Sequence, residues 1–331
     1  MSEAVGTADA RNPWLTAAAW RALFRDRPIV PLLVLLGLLV VLFELGPSSV
    51  SPAWAGGVFR AAVPLAILAG CQTLAMLTGG IDLSVGAIAS ASGFVVATLV
   101  GTMGLPAAIL IVLIAAGIAG LVNGIGVGVF KVHPLIMTLG MSLVVLGLAN
   151  VWQVQRVQTG AGVPPELRTL GSNVFLTVIP YSLIVFVPVA LLILLGLRRT
   201  GYGRLLYAIG DNPIAARLSG ARAWQVIIVL YVISAVLAGI AGLLIGGLTN
   251  VASVTLADSY VLPSVAAAVI GGTSILGGRG GFGGTIVGAL ILTVITSLLS
   301  SLGYPEAVRQ ILFGAIIVAV AAAYTRVTQE S

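Results

Sequence analysis

Stretch after stretch of this chain runs for about 20 mainly apolar residues with almost no charge, and that repetition restricts the fold more than any single motif. A helix needs about 20 such residues to cross the hydrocarbon core of a bilayer, with roughly 17–25 tolerated. Lipid offers no partner to backbone polar groups, so spans of this length are expected to be helical. On that rule ten spans are expected, at 29–45, 61–78, 85–101, 105–130, 134–152, 174–196, 224–249, 262–277, 283–303 and 307–325. The run 105–130 contains Gly117, Gly120, Gly124, Gly126 and Gly128, so a tilt or kink is expected there; 262–277 is short enough for a re-entrant or broken helix. Composition agrees, since 59% of the 331 residues are hydrophobic and 8% charged, against about 45–50% and about 25% in soluble domains. A water-soluble globule is excluded, and so is a disordered chain, which needs low hydrophobicity and high charge. The expected class is an all-α membrane protein.

The remaining chemistry-bearing residues narrow the function. A lone Cys71 and a lone His133 allow no disulfide, no Cys/His zinc site and no Cys–His nucleophile pair. No cofactor or metal is expected. With no H-E-x-x-H and no G-x-S-x-G, an intramembrane enzyme has almost no residues to use. The net charge of +6 does not indicate nucleic acid, because the cations are scattered between apolar runs and form no stripe.

Membrane orientation accounts for those cations better, because cytoplasmic loops collect Lys and Arg. With the N-terminus inside, the inner segments hold Arg11, Arg21, Arg25, Arg27, Lys131, Arg198, Arg199, Arg204, Arg217, Arg222, Arg279 and Arg326. The outer segments hold Arg60, Arg156, Arg168 and Arg309. Both termini are therefore expected in the cytoplasm, which an even number of spans requires. The expected division is a cytoplasmic tail 1–28, a transmembrane domain 29–325 and a short cytoplasmic tail 326–331. Residues 1–27 lack a small-residue cleavage site after a short apolar core, so they read as a tail and not a signal peptide. Trp14, Trp20 and Phe24 within it suit an interfacial helix lying on the membrane or plain disorder.

Two polar loops are long, 153–173 outside and 197–223 inside. In the inner loop Asn212 is a good N-cap, and Pro213 suits the first helical position because its missing N–H has no intrahelical partner there. Ile214, Ala215, Ala216, Arg217 and Leu218 continue a short helix, and Gly220 can take the left-handed position after it. The result is a stiff protrusion whose apolar face, Ile214 and Leu218, needs a cover. It is either a docking knob or an amphipathic connector resting on lipid headgroups.

Asp82 is the one acid placed at or within the membrane between the second and third expected spans, where a charge costs roughly 3 kcal/mol unless it meets water or a partner. Either Asp82 or Ser84 caps the helix starting near Val85, with Gly79 and Gly80 permitting the break, or the segment lines a solute pathway beside a broken helix. Candidate pathway residues are Thr78, Gly79, Gly80, Asp82, Ser84, Asn123 and Thr138, with Gln72 and Thr73 nearby. Gly278-x-Gly280-x-x-Gly283 matches the dinucleotide fingerprint only formally, because no βαβ unit surrounds it.

Four blocks in order across about 70–325 carry a family resemblance. They are Leu77-Thr-Gly-Gly-Ile-Asp-Leu-Ser-Val-Gly86; Asn123-Gly124 with Pro134-Leu-Ile-Met-Thr-Leu-Gly140; Gly203, Ala208, Gly210, Asn212, Ala215, Ala216 and Gly220 of the inner loop; and the glycine-rich Ile270–Ala289. Together they resemble the permease subunits of bacterial ABC sugar importers of the ribose/xylose/galactose type. Ala221 departs from the pattern, in which a branched aliphatic residue commonly follows Ser-Gly.

The resemblance implies the ABC importer permease fold and a location in the bacterial inner membrane. Its implied partners are a cytoplasmic ATPase, an extracytoplasmic solute-binding protein and a second permease copy, identical or related. Gly203, Ala208, Gly210, Asn212, Pro213, Ile214, Ala215, Ala216, Leu218 and Gly220 would form the segment coupled to the ATPase. Two transport alternatives stand beside an ATP-driven sugar permease: an ion-coupled sugar carrier using Asp82, and an ABC permease for another solute such as a branched-chain amino acid.

Overall fold

The computed structural model describes residues 51–156 and 162–329, with positions 33, 37, 40 and 41 before them. The tail 1–28 and, apart from those four positions, the expected first span lie outside the described residues. Helices α1 (Pro52–Leu77), α2 (Val85–Met103), α3 (Leu105–Gly128) and α4 (Pro134–Arg156) come first. A short α5 (Pro165–Ser172) and a hairpin of β1 (Val174–Phe175) with β2 (Ile179–Pro180) follow. Next come α6 (Leu183–Arg199), α7 (Gly201–Asp211), α8 (Pro213–Leu218) and α9 (Ala223–Thr249). A 3₁₀ turn at Asp258–Tyr260 leads into α10 (Val261–Ile270), α11 (Phe282–Ser301) and α12 (Glu306–Gln329).

The chain is an all-α membrane protein. Among the described residues six helices are long and apolar enough to cross a bilayer, namely α1, α2, α3, α4, α9 and α11. Helices α6 and α7 qualify only as a pair bent by 69°, and Asp258–Ile270 is a shorter apolar helix.

Two of the expected span starts need correction. The expected span 174–196 begins instead at Leu183, because 174–180 is spent on the hairpin and the turn ending at Ser182 precedes the helix. The expected 61–78 starts earlier, at Pro52, where the Ser51 hydroxyl accepts the Trp54 N–H at 3.1 Å. The run 262–277 is broken, one of the two forms expected for it, with α10 ending at Ile270 and left-handed Gly272, Gly277 and Gly278 turning the chain. Helix α3 remains continuous through its glycines, which are spent on packing: Gly120 and Gly124 face the backbone of Tyr231 and Ile228 on α9.

Helix α1 is the axis, with 83% of its most apolar window buried inside the chain. It packs against α9, α10 and α11, while α9 also packs on α2, α3 and α5. By contrast α3 and α4 are 22% and 17% buried over the same measure and present Ile114, Ile118, Leu143 and Leu148 outward. Lipid tails are as apolar as Leu, so helices associate through close packing of small residues and not through hydrophobic transfer.

Gly242 of α9 shows this requirement. A Cβ there would overlap the Ala89 carbonyl oxygen of α2, whereas one on Gly117 would find its nearest neighbour at 3.7 Å. Gly242→Val should therefore force α2 from α9 and cost about 3 kcal/mol or more, read as a large fall in the thermal midpoint in detergent. Gly117→Val should stay near wild type, and equal midpoints for the two variants would contradict this packing.

Candidate functional site

Helix α1 ends at Leu77 and left-handed Gly79 redirects the chain. The following turn is built around buried Asp82. Its Oδ1 accepts the backbone N–H of Ser84 at 3.0 Å and the Ser84 hydroxyl, and its Oδ2 accepts the Ser234 hydroxyl of α9 at 2.8 Å. Gln72 of α1 reads the Asp82 backbone in both directions, donating to its carbonyl at 2.8 Å and accepting its N–H at 3.2 Å. From α4, Thr138 accepts the Leu83 N–H at 3.0 Å. From α3, the Asn123 amide donates to Ser84 Oγ at 2.9 Å. Four helices thus close on one turn through polar bonds, in an interior where such bonds are strong and losing them is costly.

The capping expectation changes. Ser84 sits at the N-cap position of α2 with helical dihedrals, φ −78° and ψ −14°, and its side chain makes no capping bond. A capping side chain needs an extended backbone to reach the first turn. The Ser84 hydroxyl instead donates to Asp82, whose carboxylate folds the turn before the helix and ties it to α9.

Of the candidate pathway residues, the structure brings Asp82, Ser84, Asn123 and Thr138 together in this buried cluster. Gly80 is buried beside Pro134 and Tyr231, while Thr78 is half-buried and Gly79 exposed. Thr73 belongs elsewhere, with its hydroxyl 2.6 Å from that of Thr285 on α11. Sequence reasoning missed Ser234, which lies mid-helix in α9 and becomes a partner of Asp82 only through packing. It also missed Tyr231, whose buried hydroxyl, like Asn123 Oδ1, makes no hydrogen bond among the described residues.

The segment 197–223 forms a protrusion of two helices, not one. Its first part, α7, was not expected; Thr200 caps it by accepting the Gly203 N–H at 3.1 Å. The second part is as expected. Asn212 Oδ1 accepts from Ile214 N at 3.1 Å and Ala215 N at 3.0 Å, Pro213 opens α8, and Gly220 is left-handed at φ +84°.

Ile214 and Leu218 are 68% and 86% exposed, and Ala208, Asn212, Pro213, Ala215 and Gly220 are exposed with them. Gly203 and Ala216 are buried and Gly210 is half-buried. Gly203 lies in the bend between α6 and α7, where a side chain would overlap the Leu197 carbonyl, so it shapes the protrusion from within.

The glycine-rich block closes against this region. Gly278 N–H donates to the Leu77 carbonyl at 3.0 Å and the Tyr207 hydroxyl donates to Gly280 O at 2.9 Å. The formal dinucleotide fingerprint is thereby a structural turn.

Residues 55–321 match the family model described as branched-chain amino acid transport system / permease component. The chain belongs to this permease family. Among relatives of this permease, the fructose import permease protein of Rhizobium meliloti is 32% identical over 322 residues, 95% of this chain and 89% of that protein. The ribose import permease protein of Bacillus subtilis is 33% identical over 289 residues, covering 87% and 89%. The galactofuranose transporter permease protein of Escherichia coli is 32% identical over 265 residues, covering 80% and 77%. No solved structure matches the permease chain.

Proposed function

We propose that this permease is the membrane-spanning subunit of an ATP-driven importer for a monosaccharide or related polyol, in a bacterial inner membrane, and that it performs no catalysis itself. The observation that carries the reading is the capped protrusion α7–α8, which holds Ile214 and Leu218 exposed at one end of an apolar bundle. An exposed apolar face on a stiff support is what a cytoplasmic ATPase needs in order to push. The sugar assignment rests on the fructose, ribose and galactofuranose permeases among the relatives. The family description favours branched-chain amino acids as the second solute class.

Ten spans with both termini in the cytoplasm fit the same picture. Contacts gather cations at the protrusion's end of the bundle: Lys131, Arg217 and Arg222 border one cavity of about 540 Å³, and the turn bearing Arg279 touches α7. Arg60 bonds to Ser172 O on α5, near the start of α1 and away from the Leu77 end. A cytoplasmic protrusion then satisfies the positive-inside rule.

The ion-coupled alternative assigns Asp82 as the coupling group, but its carboxylate is engaged by Ser84 and Ser234 within the chain's own packing. A solute-binding protein outside and a second permease copy complete the proposed assembly. The deciding experiment is uptake of radiolabelled ribose, fructose and leucine by cells expressing the complete system. ATP-dependent accumulation of a sugar should survive collapse of the ion gradients and stop on ATP depletion; the reverse pattern would overturn the importer reading, and leucine uptake alone would overturn the sugar assignment.

A further inference from the structure

We infer that Gly210 is a positioning residue through which motion of the protrusion reaches the buried Asp82 turn, by direct backbone contact and not only along the chain into α9. The inference deepens the importer reading and rests on it for the driving partner.

Three backbones meet at Gly210 with no side chain between them: the end of α7, the end of α1 and the turn 276–280. A Cβ on Gly210 would overlap the Leu77 carbonyl oxygen and lie 2.5 Å from Gly278 N, the two atoms that form a 3.0 Å hydrogen bond with each other. From the opposite side, a Cβ on Gly277 would stand 2.9 Å from Gly210 O and 3.1 Å from Gly79 N. One on Gly278 would stand 2.9 Å from Asp211 Cα. Tyr207, one helical turn before Asp211, pins α7 to the same turn through Gly280 O at 2.9 Å.

This arrangement differs from ordinary side-chain packing. A side chain absorbs displacement by changing rotamer, whereas touching backbones have no such freedom and pass the displacement on. From Leu77 the route to Asp82 is five residues of chain. The Asp82 turn is then bonded to α1 through Gln72, to α3 through Asn123, to α4 through Thr138 and to α9 through Ser234. A shift at Gly210 therefore arrives at four helices together. Gly210 faces this junction and not the exposed docking face, so its role is to transmit and not to touch the ATPase.

The test is hydrogen–deuterium exchange on the full chain copurified with its ATPase in nanodiscs, with and without ATP and vanadate. In wild type, trapping nucleotide should change exchange at both 213–220 and 78–84. Gly210→Val should keep the response at 213–220 and reduce that at 78–84 by at least about fivefold. Tyr207→Phe adds no volume and should weaken the response at 78–84 without altering association, which keeps the inference testable if the valine variant does not fold. An undiminished response at 78–84 in both variants would overturn the transmission role and leave the importer reading standing. Absence of any wild-type response at 213–220 would remove the importer reading itself, and this inference with it.

Discussion

Ile214→Asp combined with Leu218→Asp should abolish copurification of the ATPase while the chain remains inserted in the membrane. Ile214 and Leu218 are among the more exposed large apolar side chains of the chain and sit on a helix whose N-terminal bonds come from Asn212. Changing them therefore removes little internal packing. Burying two such side chains in a partner's groove contributes roughly 3–6 kcal/mol, which corresponds to at least about a hundredfold in affinity. The introduced carboxylates would add a desolvation cost at the same place. Affinity capture of the tagged chain, with membrane insertion checked in parallel, measures the effect. Capture of the ATPase at wild-type yield would show that this face is a connector resting on headgroups.

The second large effect is expected at Asp82. Asp82→Ala strips the acceptor from the Ser84 N–H, the Ser84 hydroxyl and the Ser234 hydroxyl, all of them buried. An orphaned buried donor costs about 1–3 kcal/mol. The two hydroxyls can rotate toward other acceptors, so a total of about 3 kcal/mol is expected, seen as a large drop in thermal midpoint in detergent. Asp82→Asn is different. Its carbonyl oxygen can still accept from Ser84, and its amide can donate to Ser234 Oγ, so stability and uptake should stay close to wild type. If Asp82→Asn folds normally and uptake stops, the carboxylate acts as a charge in transport and its structural role is secondary.

These two sites were not equally legible in the sequence. The protrusion is a local object: Asn212, Pro213 and Gly220 act through bonds and dihedrals within a few residues, so its second helix could be read before any packing was known. Its first helix was hidden, because Gly201, Gly203 and Gly210 argue against helix by propensity. Gly203 and Gly210 are favoured here by close backbone approach, the first to α6 and the second to α1. Asp82 was legible only as an anomaly, a carboxylate where membrane helices avoid one. Its partners could not be foreseen, since Ser234 lies 152 positions away and no local pattern distinguishes it from any other helical serine.

Span detection shows the same division. Hydropathy located the long elements because crossing a bilayer sets a minimum apolar length. It ran 174–196 together because a two-stranded hairpin of Val, Phe, Ile and Pro is as apolar as the helix after it.

What the sequence determined alone was the membrane class, most of the helices and the capped knob, because apolar length, charge placement and capping are properties of residues near one another in the chain. The tertiary structure decided which glycines are contacts, which turn is gripped by four helices, and how α7 meets the end of α1. Those depend on distances between backbones far apart in the chain. In a bundle held by close contact, a single missing Cβ sets such a distance, and hydropathy carries no trace of it.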